Sequence, residues 1–353
     1  MYKLIRKALF ATSPETAHEL ALEGLRLGHG LGATRLLRKT VSQPVEVMGL
    51  KFPNPVGLAA GMDKNGDYID ALGGLGFGFI EIGTVTPLPQ PGNPKPRVFR
   101  LTAAAAMINR LGFNSKGVAH LVGRARRRQF QGILGINIGK NRDTPIERAV
   151  DDYLYCFEEV YPFADYITLN ISSPNTRDLR ELQKHEALDE LLGTLARRRV
   201  ELADEMDKCV PIVVKVAPDL DEAAIRAIAA VVQTHRIDGV IAGNTTLDRA
   251  GVEGLPHAEE EGGLSGAPLR AKADTTLAGL KAALPPEVAL IGVGGIMKGE
   301  DAAHKLELGA DLVQFYTGFV YHGPGLISDC VEAINGTNPE VSSSVSGKAG
   351  DLS

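Results

Sequence analysis

Cysteine is scarce in this sequence. Three occur among 353 residues, Cys156, Cys209 and Cys330, and they form neither a CxxC pair nor any metal-ligand spacing. They read as reduced, structural thiols of a cytosolic compartment, and no metal is expected. No apolar run reaches the roughly 18 residues that a membrane span needs. The N-terminus lacks the apolar core and cleavage site of a signal peptide. Basic charge is not in excess either: 38 Lys+Arg stand against 43 Asp+Glu, a net charge of −5 that gives no reason to expect nucleic acid. The basic runs "RARRR" (residues 124–128) and "RRR" (197–199) lie in helix-like stretches and read as solvated faces. What is present is ordinary for a globular chain, with 44% hydrophobic and 23% charged residues. The length allows two average domains or one large α/β barrel with extensions.

Residues 1–40 differ from the rest. Seven basic residues (Lys3, Arg6, Lys7, Arg26, Arg35, Arg38, Lys39) face three acidic ones (Glu15, Glu19, Glu23). Ser13 as N-cap, Pro14 at the first helical position and Glu15 in the first turn predict a helix start. Leu20, Leu22, Leu25, Leu27 and Leu31 supply an apolar stripe, and "YKLIRKALF" upstream is a second basic amphipathic stretch. Two readings stay open from these residues alone: a helical cap on the main domain, or a segment that dips into an anionic membrane surface.

"VEVMGLKFPNP" (45–55) alternates around Gly49 and predicts a short hairpin. A repeating rhythm follows, in which a short apolar run ends in Gly, Ala, Thr, Ile or Asn and leads into a helix-like stretch. The runs are "VGLAAG" (56–61), "FGFIEIGT" (77–84), "GILGINIG" (132–139), "DYITLNI" (165–171), "PIVVKVA" (211–217), "DGVIAGN" (238–244), "ALIGVGG" (289–295) and "LVQFYTG" (312–318). Eight buried-looking strands alternating with helices predict an α/β fold, the (β/α)8 TIM barrel, over residues 41–335, with the N-terminal helical extension before it. An open doubly wound sheet is the alternative, but the first βα turn carries no GxGxxG. Residues 336–353 are Ser/Gly-rich without periodicity and are expected to be a disordered tail.

Function in such a barrel collects past the C-terminal strand ends. Those positions carry Lys64, Thr84, Asn137, Asn170 and then "SSPN", Lys215, "GNTT", "GVGG" and "YTG". Amides and lysines dominate, and carboxylates are few. That set suits a flat, polar, electron-accepting ligand better than hydrolytic acid/base or metal chemistry. The glycine loops after the last two strands suit a phosphate, although tight turns alone would also use them. Lys215 inside an apolar run admits three uses: a Schiff base, a fixed charge beside a cofactor ring, or a structural lysine reaching the strand end.

The motifs "LAAGMDKNG", "EIGTVTPLPQPGNPKPRVFR", "INRLGFNSKG", "GINIGKN", "NISSPNT", "KVAPDL", "NTTLDR", "GGLSGAPL" and "GVGGI" closely resemble the dihydroorotate dehydrogenase family, in its quinone-dependent, membrane-associated class. The resemblance runs from about residue 1 to 335. It implies a (β/α)8 barrel that binds FMN and oxidises (S)-dihydroorotate to orotate in pyrimidine synthesis, with a membrane quinone as the final acceptor. By resemblance Ser173 is the base that removes the C5 proton of the substrate. The cytosolic members place cysteine there, so serine together with the helical extension points to the quinone class.

The same resemblance implies substrate contacts at Lys64, Asn109, Arg110, Leu111, Gly112, Phe113, Asn170, Asn175, Asn244 and Thr245. It implies FMN contacts at Ala60, Gly61, Met62, Asp63, Lys64, Thr84, Asn137, Asn170, Lys215, Gly243, Gly266, Gly295, Tyr316 and Thr317. Gly243 is a departure, since related sequences carry threonine before "NTT". Quinone contacts are expected at His18, Arg100 and Tyr316, with residues 1–40 as a peripheral membrane anchor on the cytoplasmic face of a bacterial inner membrane.

A serine is a weak base. As hydride leaves C6 for the flavin the neighbouring C5–H becomes more acidic, and Thr176 or a trapped water can pass the proton on, since a buried alkoxide is costly. Residues 173–182 are expected to act as a lid over that chemistry. The rivals are a Schiff-base lyase on Lys215, a cytosolic flavin enzyme that uses fumarate or NAD, and a membrane-docked binding barrel.

Overall fold

The computed structural model describes residues 2–34, 42–176 and 178–337. Two N-terminal helices, α1 (Tyr2–Phe10) and α2 (Pro14–Gly30), come first. Ser13 caps α2 as its sequence predicts, its hydroxyl accepting from the Thr16 N–H, with Pro14 next in line. Val45–Val47 (β1) and Leu50–Phe52 (β2) form the expected hairpin, turned at Met48 and Gly49, both at positive φ.

The strands that follow are β3 (Val56–Leu58), β4 (Phe79–Val85), β5 (Val98–Leu101), β6 (Ala106–Asn109), β7 (Ile133–Ile138), β8 (Tyr166–Asn170) and β9 (Ile212–Val216). β10 (Gly239–Ala242), β11 (Gly263–Gly266), β12 (Ala289–Val293) and β13 (Leu312–Phe315) complete the set. β3, β4, β7, β8, β9, β10, β12 and β13 pair in parallel, in chain order, and β13 closes back on β3. These are the eight runs read from the sequence, and helices lie between them, so the fold is the (β/α)8 barrel. β5, β6 and β11 form a separate antiparallel sheet from segments that follow β4 and β10. The strand rhythm alone did not foretell this sheet.

Period-two alternation sorts the barrel side chains. Phe79, Tyr166, Val213, Ile241, Ile291 and Leu312 point inward and form one cluster. Their chain neighbours Ile80, Ile167, Val214, Val240, Leu290 and Val313 point outward and join the core beneath the helices. Two inward glycines make room for the large rings. A Cβ on Gly57 would lie 2.2 Å from the Phe79 ring, and one on Gly135 would lie 2.2 Å from that of Tyr166. Two residues further along their strands than Phe79, Tyr166 and Leu312 stand Glu81, Thr168 and Gln314, all fully buried. The inside of the barrel is therefore apolar at the bottom and polar towards its C-terminal end.

The helix Gly325–Thr337 includes the first two residues of the expected tail, and residues 338–353 lie outside the described residues. So do 35–41, where the boundary between extension and barrel was placed. No described helix is long and apolar enough to cross a membrane.

Candidate functional site

A cleft of about 1100 Å³, counted out to its opening, lies at the C-terminal ends of the strands. The strand ends place the polar side chains on it: Lys64 after β3, Thr84 on β4, Asn170 and Ser173 on and after β8, Lys215 on β9, Asn244 and Thr245 after β10. The antiparallel sheet supplies Asn109, Ser265 and Gly266 from above, with Leu111, Gly112 and Phe113 on the chain that leaves β6. The loops after β12 and β13 meet there too, through Gly294, Gly295, Tyr316 and Thr317. Phe113 at φ 53 and Gly112 at φ 68 turn the chain sharply over the opening.

Two linked groups of amides occupy the cleft. Asn175 Nδ2 donates to Asn109 Oδ1 at 3.1 Å. Asn244 Nδ2 donates to Ser172 Oγ at 2.9 Å, and Asn170 Nδ2 to Thr84 Oγ1 at 2.8 Å. Ser173 is buried, and its Oγ accepts from the Asn175 N–H at 3.3 Å. That bond leaves the hydroxyl proton to be given elsewhere. Among the described residues the hydroxyls of Thr176 and Thr245 are buried without a partner, and that of Thr245, which lines the cleft, is free to meet a polar atom of a ligand.

Charge is concentrated in two lysines. Lys215 is buried, and burial lowers its pKa against the opposing pull of Glu81. Burial, with Arg97 nearby, takes Lys64 down to about 8, and Glu15 and Asp63 work against that. Its Nζ donates to the Gly61 carbonyl at 2.8 Å. Burial pushes the Tyr316 phenol up to about 12.

Most of the expected site residues meet on this cleft, including Ala60, but some stand behind it. Arg110 turns away to pair with Glu260 at 2.8 Å and to cover the Phe99 ring. Met62 is buried off the cleft, and Asp63 accepts from the N–H groups of Asn65, Asp67 and Tyr68 to fix the turn after β3. Asn137 sits one layer down, between Thr84 and Glu81. Gly243 has φ 129, and a Cβ there would meet the Val293 carbonyl oxygen at 3.1 Å. Glycine therefore suits this backbone, and a threonine would be strained.

His18, on α2, and Arg100, on β5 against the α1–α2 turn, do not line the cleft. Burial and the Lys64 charge hold His18 down to about 4, so it is neutral at pH 7. Arg100 donates to the Leu9 and Thr12 carbonyls at the α1–α2 turn, and its guanidinium lies 4.4 Å from the Phe10 ring centre. Only Tyr316 of the expected quinone set lines the main cleft.

The expected lid is tied down in its second half. Leu179 and Leu182 are buried, and Arg180 donates to the Ser172 and Thr245 carbonyls at 3.1 Å each and to Asp219 at 3.0 Å. Sequence reasoning missed the apolar lining, among it Val98, Met107, Leu269 and Val293. It also missed Glu81, although a single charge inside "FGFIEIGT" was the available signal.

The family model for dihydroorotate dehydrogenase matches residues 43–337. A dihydroorotate dehydrogenase (quinone) of Dechloromonas aromatica (strain RCB) is 57% identical over 338 residues, covering 95% of this chain and 97% of the relative. One of the same description from Acinetobacter baylyi is 57% identical over 335 residues, covering 95% and 99%. A crystal structure described as DHODH from Eimeria tenella in complex with ferulenol superposes with a TM-score of 0.84 at 35% identity, covering 93% of this chain and 92% of that one.

Proposed function

The chain belongs to the dihydroorotate dehydrogenase family, and on that premise we propose how its cleft carries out the reaction. The reaction is the oxidation of dihydroorotate to orotate with a quinone as electron acceptor, in pyrimidine biosynthesis. The family is flavin-dependent, and we infer that the flavin this cleft takes is FMN. The donor set fits it: buried Lys215, the Thr84 and Asn170 side chains, and glycine loops that bring backbone N–H groups to one end of the cleft. FMN held there would supply a two-electron acceptor for the substrate's hydride and a donor to quinone.

The protein's own work is binding, orientation and proton handling. Asn109, Asn175, Asn170 and Asn244 each both donate and accept, as the ureide edge of a dihydropyrimidine requires. Lys64 offsets the substrate carboxylate, and Thr245, Leu111, Gly112 and Phe113 shape the wall. Ser173 takes the proton from the carbon next to the one that loses hydride. As it does so it gives up its own hydroxyl proton, which Thr176, whose buried hydroxyl has no partner among the described residues, relays to solvent, so no alkoxide persists. Lys215 would supply a buried positive charge to the flavin side of the cleft. Arg110 acts by holding the chain beside Asn109.

The observation that carries this reading is Ser173: a buried hydroxyl on the cleft, oriented by the Asn175 N–H, with both amide groups and Lys64 around the same space. Substituting Ser173→Ala tests it. Single-turnover flavin reduction by dihydroorotate is expected to slow by about 10²–10⁴-fold while orotate still binds. Near-normal reduction would remove Ser173 from the role of base.

The N-terminal pair is the route to the membrane. Leu4, Ile5, Leu20, Leu27 and Leu31 are exposed, with basic residues beside them. We propose that this face lies on the cytoplasmic surface of a bacterial inner membrane, and that quinone enters past His18 and Arg100 towards Tyr316. Neutral His18 gives that passage a hydrogen-bonding group without a charge.

A further inference from the structure

Glu81 is a fully buried acid inside the barrel, one layer below the cleft. Its Oε1 accepts from Asn137 Nδ2 at 2.8 Å. Its Oε2 accepts from the Tyr166 hydroxyl at 2.9 Å, the Thr168 hydroxyl at 3.1 Å and Gln314 Nε2 at 3.0 Å. An ionised carboxylate only accepts, so each neighbour has to donate to it. The consequence runs upward. With Nδ2 facing Glu81, Asn137 turns its Oδ1 to Thr84, whose hydroxyl donates to it at 2.5 Å. The single Thr84 proton is then committed, and its oxygen accepts from Asn170 Nδ2 at 2.8 Å. Asn170 Oδ1 is left to accept from Asn244 Nδ2 and the Ser172 hydroxyl, each at 3.4 Å.

We propose that Glu81 is a positioning residue: its negative charge gives this chain one direction and so decides which polar edge Thr84, Asn170 and Asn244 turn to a ligand in the cleft. The inference rests on the cleft being the flavin and dihydroorotate site. An amide in place of the carboxylate donates as well as accepts, so the chain would then run either way. A site whose donors and acceptors are not fixed before binding loses affinity for a ligand of fixed pattern. The same charge favours the protonated form of Lys215. A Glu81 that served only the stability of the core would leave the cleft's polarity untouched.

A double-mutant cycle on the flavin-loaded protein separates the two roles. Glu81→Gln and Thr84→Val are close in shape to the native residues and break the chain at different links. FMN retention is read by flavin fluorescence and orotate affinity by the shift in flavin absorption. Each single variant is expected to weaken both by roughly tenfold. The double variant is expected to be no worse than the weaker single, because one broken chain cannot be broken twice. Glu81→Asp keeps the charge and is expected to stay closer to the native protein than Glu81→Gln.

Losses that multiply in the double variant, or a Glu81→Gln protein with native affinities, overturn the proposal. Neutron diffraction from crystals of the native protein gives a check that needs no variant: Asn137 Nδ2 facing Glu81 is expected, and the opposite orientation overturns it. The FMN cycle does not require dihydroorotate as substrate. Native protein that holds FMN but ignores orotate would refute the assigned reaction and leave Glu81 to be judged on FMN alone.

Discussion

Lys64 shows how one side chain ties the cleft's charge to pH. Burial brings its pKa down to about 8, so it is a cation below that value and neutral above it. Orotate carries a carboxylate, and its affinity is expected to fall as pH rises through about 8. Lys64→Met should bind orotate weakly and remove that break from the profile; a break that persists in the variant assigns it to another group. The amides, the lysines and Ser173 were legible at this scale because each stands at a strand end, where the fold exposes side chains to a common space. Glu81 was not legible. Its importance lies in four partners from three other strands, Asn137 on β7, Tyr166 and Thr168 on β8 and Gln314 on β13, and no local pattern announces contacts so distant in the chain. Arg110 shows the same dependence: its motif placed it beside Asn109, and Glu260, 150 positions later, decides where its side chain goes.

The N-terminal helices do two different things. α1 holds to the helix Thr317–His322, where the Tyr2 hydroxyl donates to the Val320 carbonyl at 2.7 Å and the Phe10 ring meets Tyr321 edge-on. Removing residues 1–12 is expected to cut quinone turnover and vesicle binding while dihydroorotate still reduces the flavin. Equal loss of both half-reactions would make the helix chiefly structural. α2 reaches the substrate side. Glu15 pairs with Arg97 at 3.0 Å, and the Glu15 charge favours protonated Lys64 while Arg97 opposes it. Glu15→Gln should therefore shift the fall in orotate affinity to a lower pH, and an unmoved profile would mean that α2 is not coupled to Lys64. The amphipathic pattern and the Ser13 cap could be read directly, since both are local. The docking of α2 through Arg97 could not, because the partner lies 82 residues away.

For the molecule as a whole the barrel was the most legible feature. Strands covered on both faces read as short continuous apolar runs, and eight of them in βα alternation leave few other folds. The antiparallel sheet that roofs the cleft was hidden because β5, β6 and β11 are only four residues each and β11 joins β6 from a segment far along the chain, after β10. The closed barrel also predicts where it is intolerant. Gly135→Ala would drive a methyl into the Tyr166 ring, and overpacking of this kind costs about 1–3 kcal/mol. A lowered denaturation midpoint is expected, and an unchanged one would show that the ring can move aside.

The central claim is that this cleft holds a flavin and gives it the electrons of dihydroorotate. The most direct measurement is the visible spectrum of the purified protein before and after anaerobic addition of dihydroorotate. The account predicts a yellow protein that bleaches on addition and regains its colour when a quinone is supplied. A protein that binds no flavin, or whose flavin spectrum does not change with dihydroorotate, would contradict it.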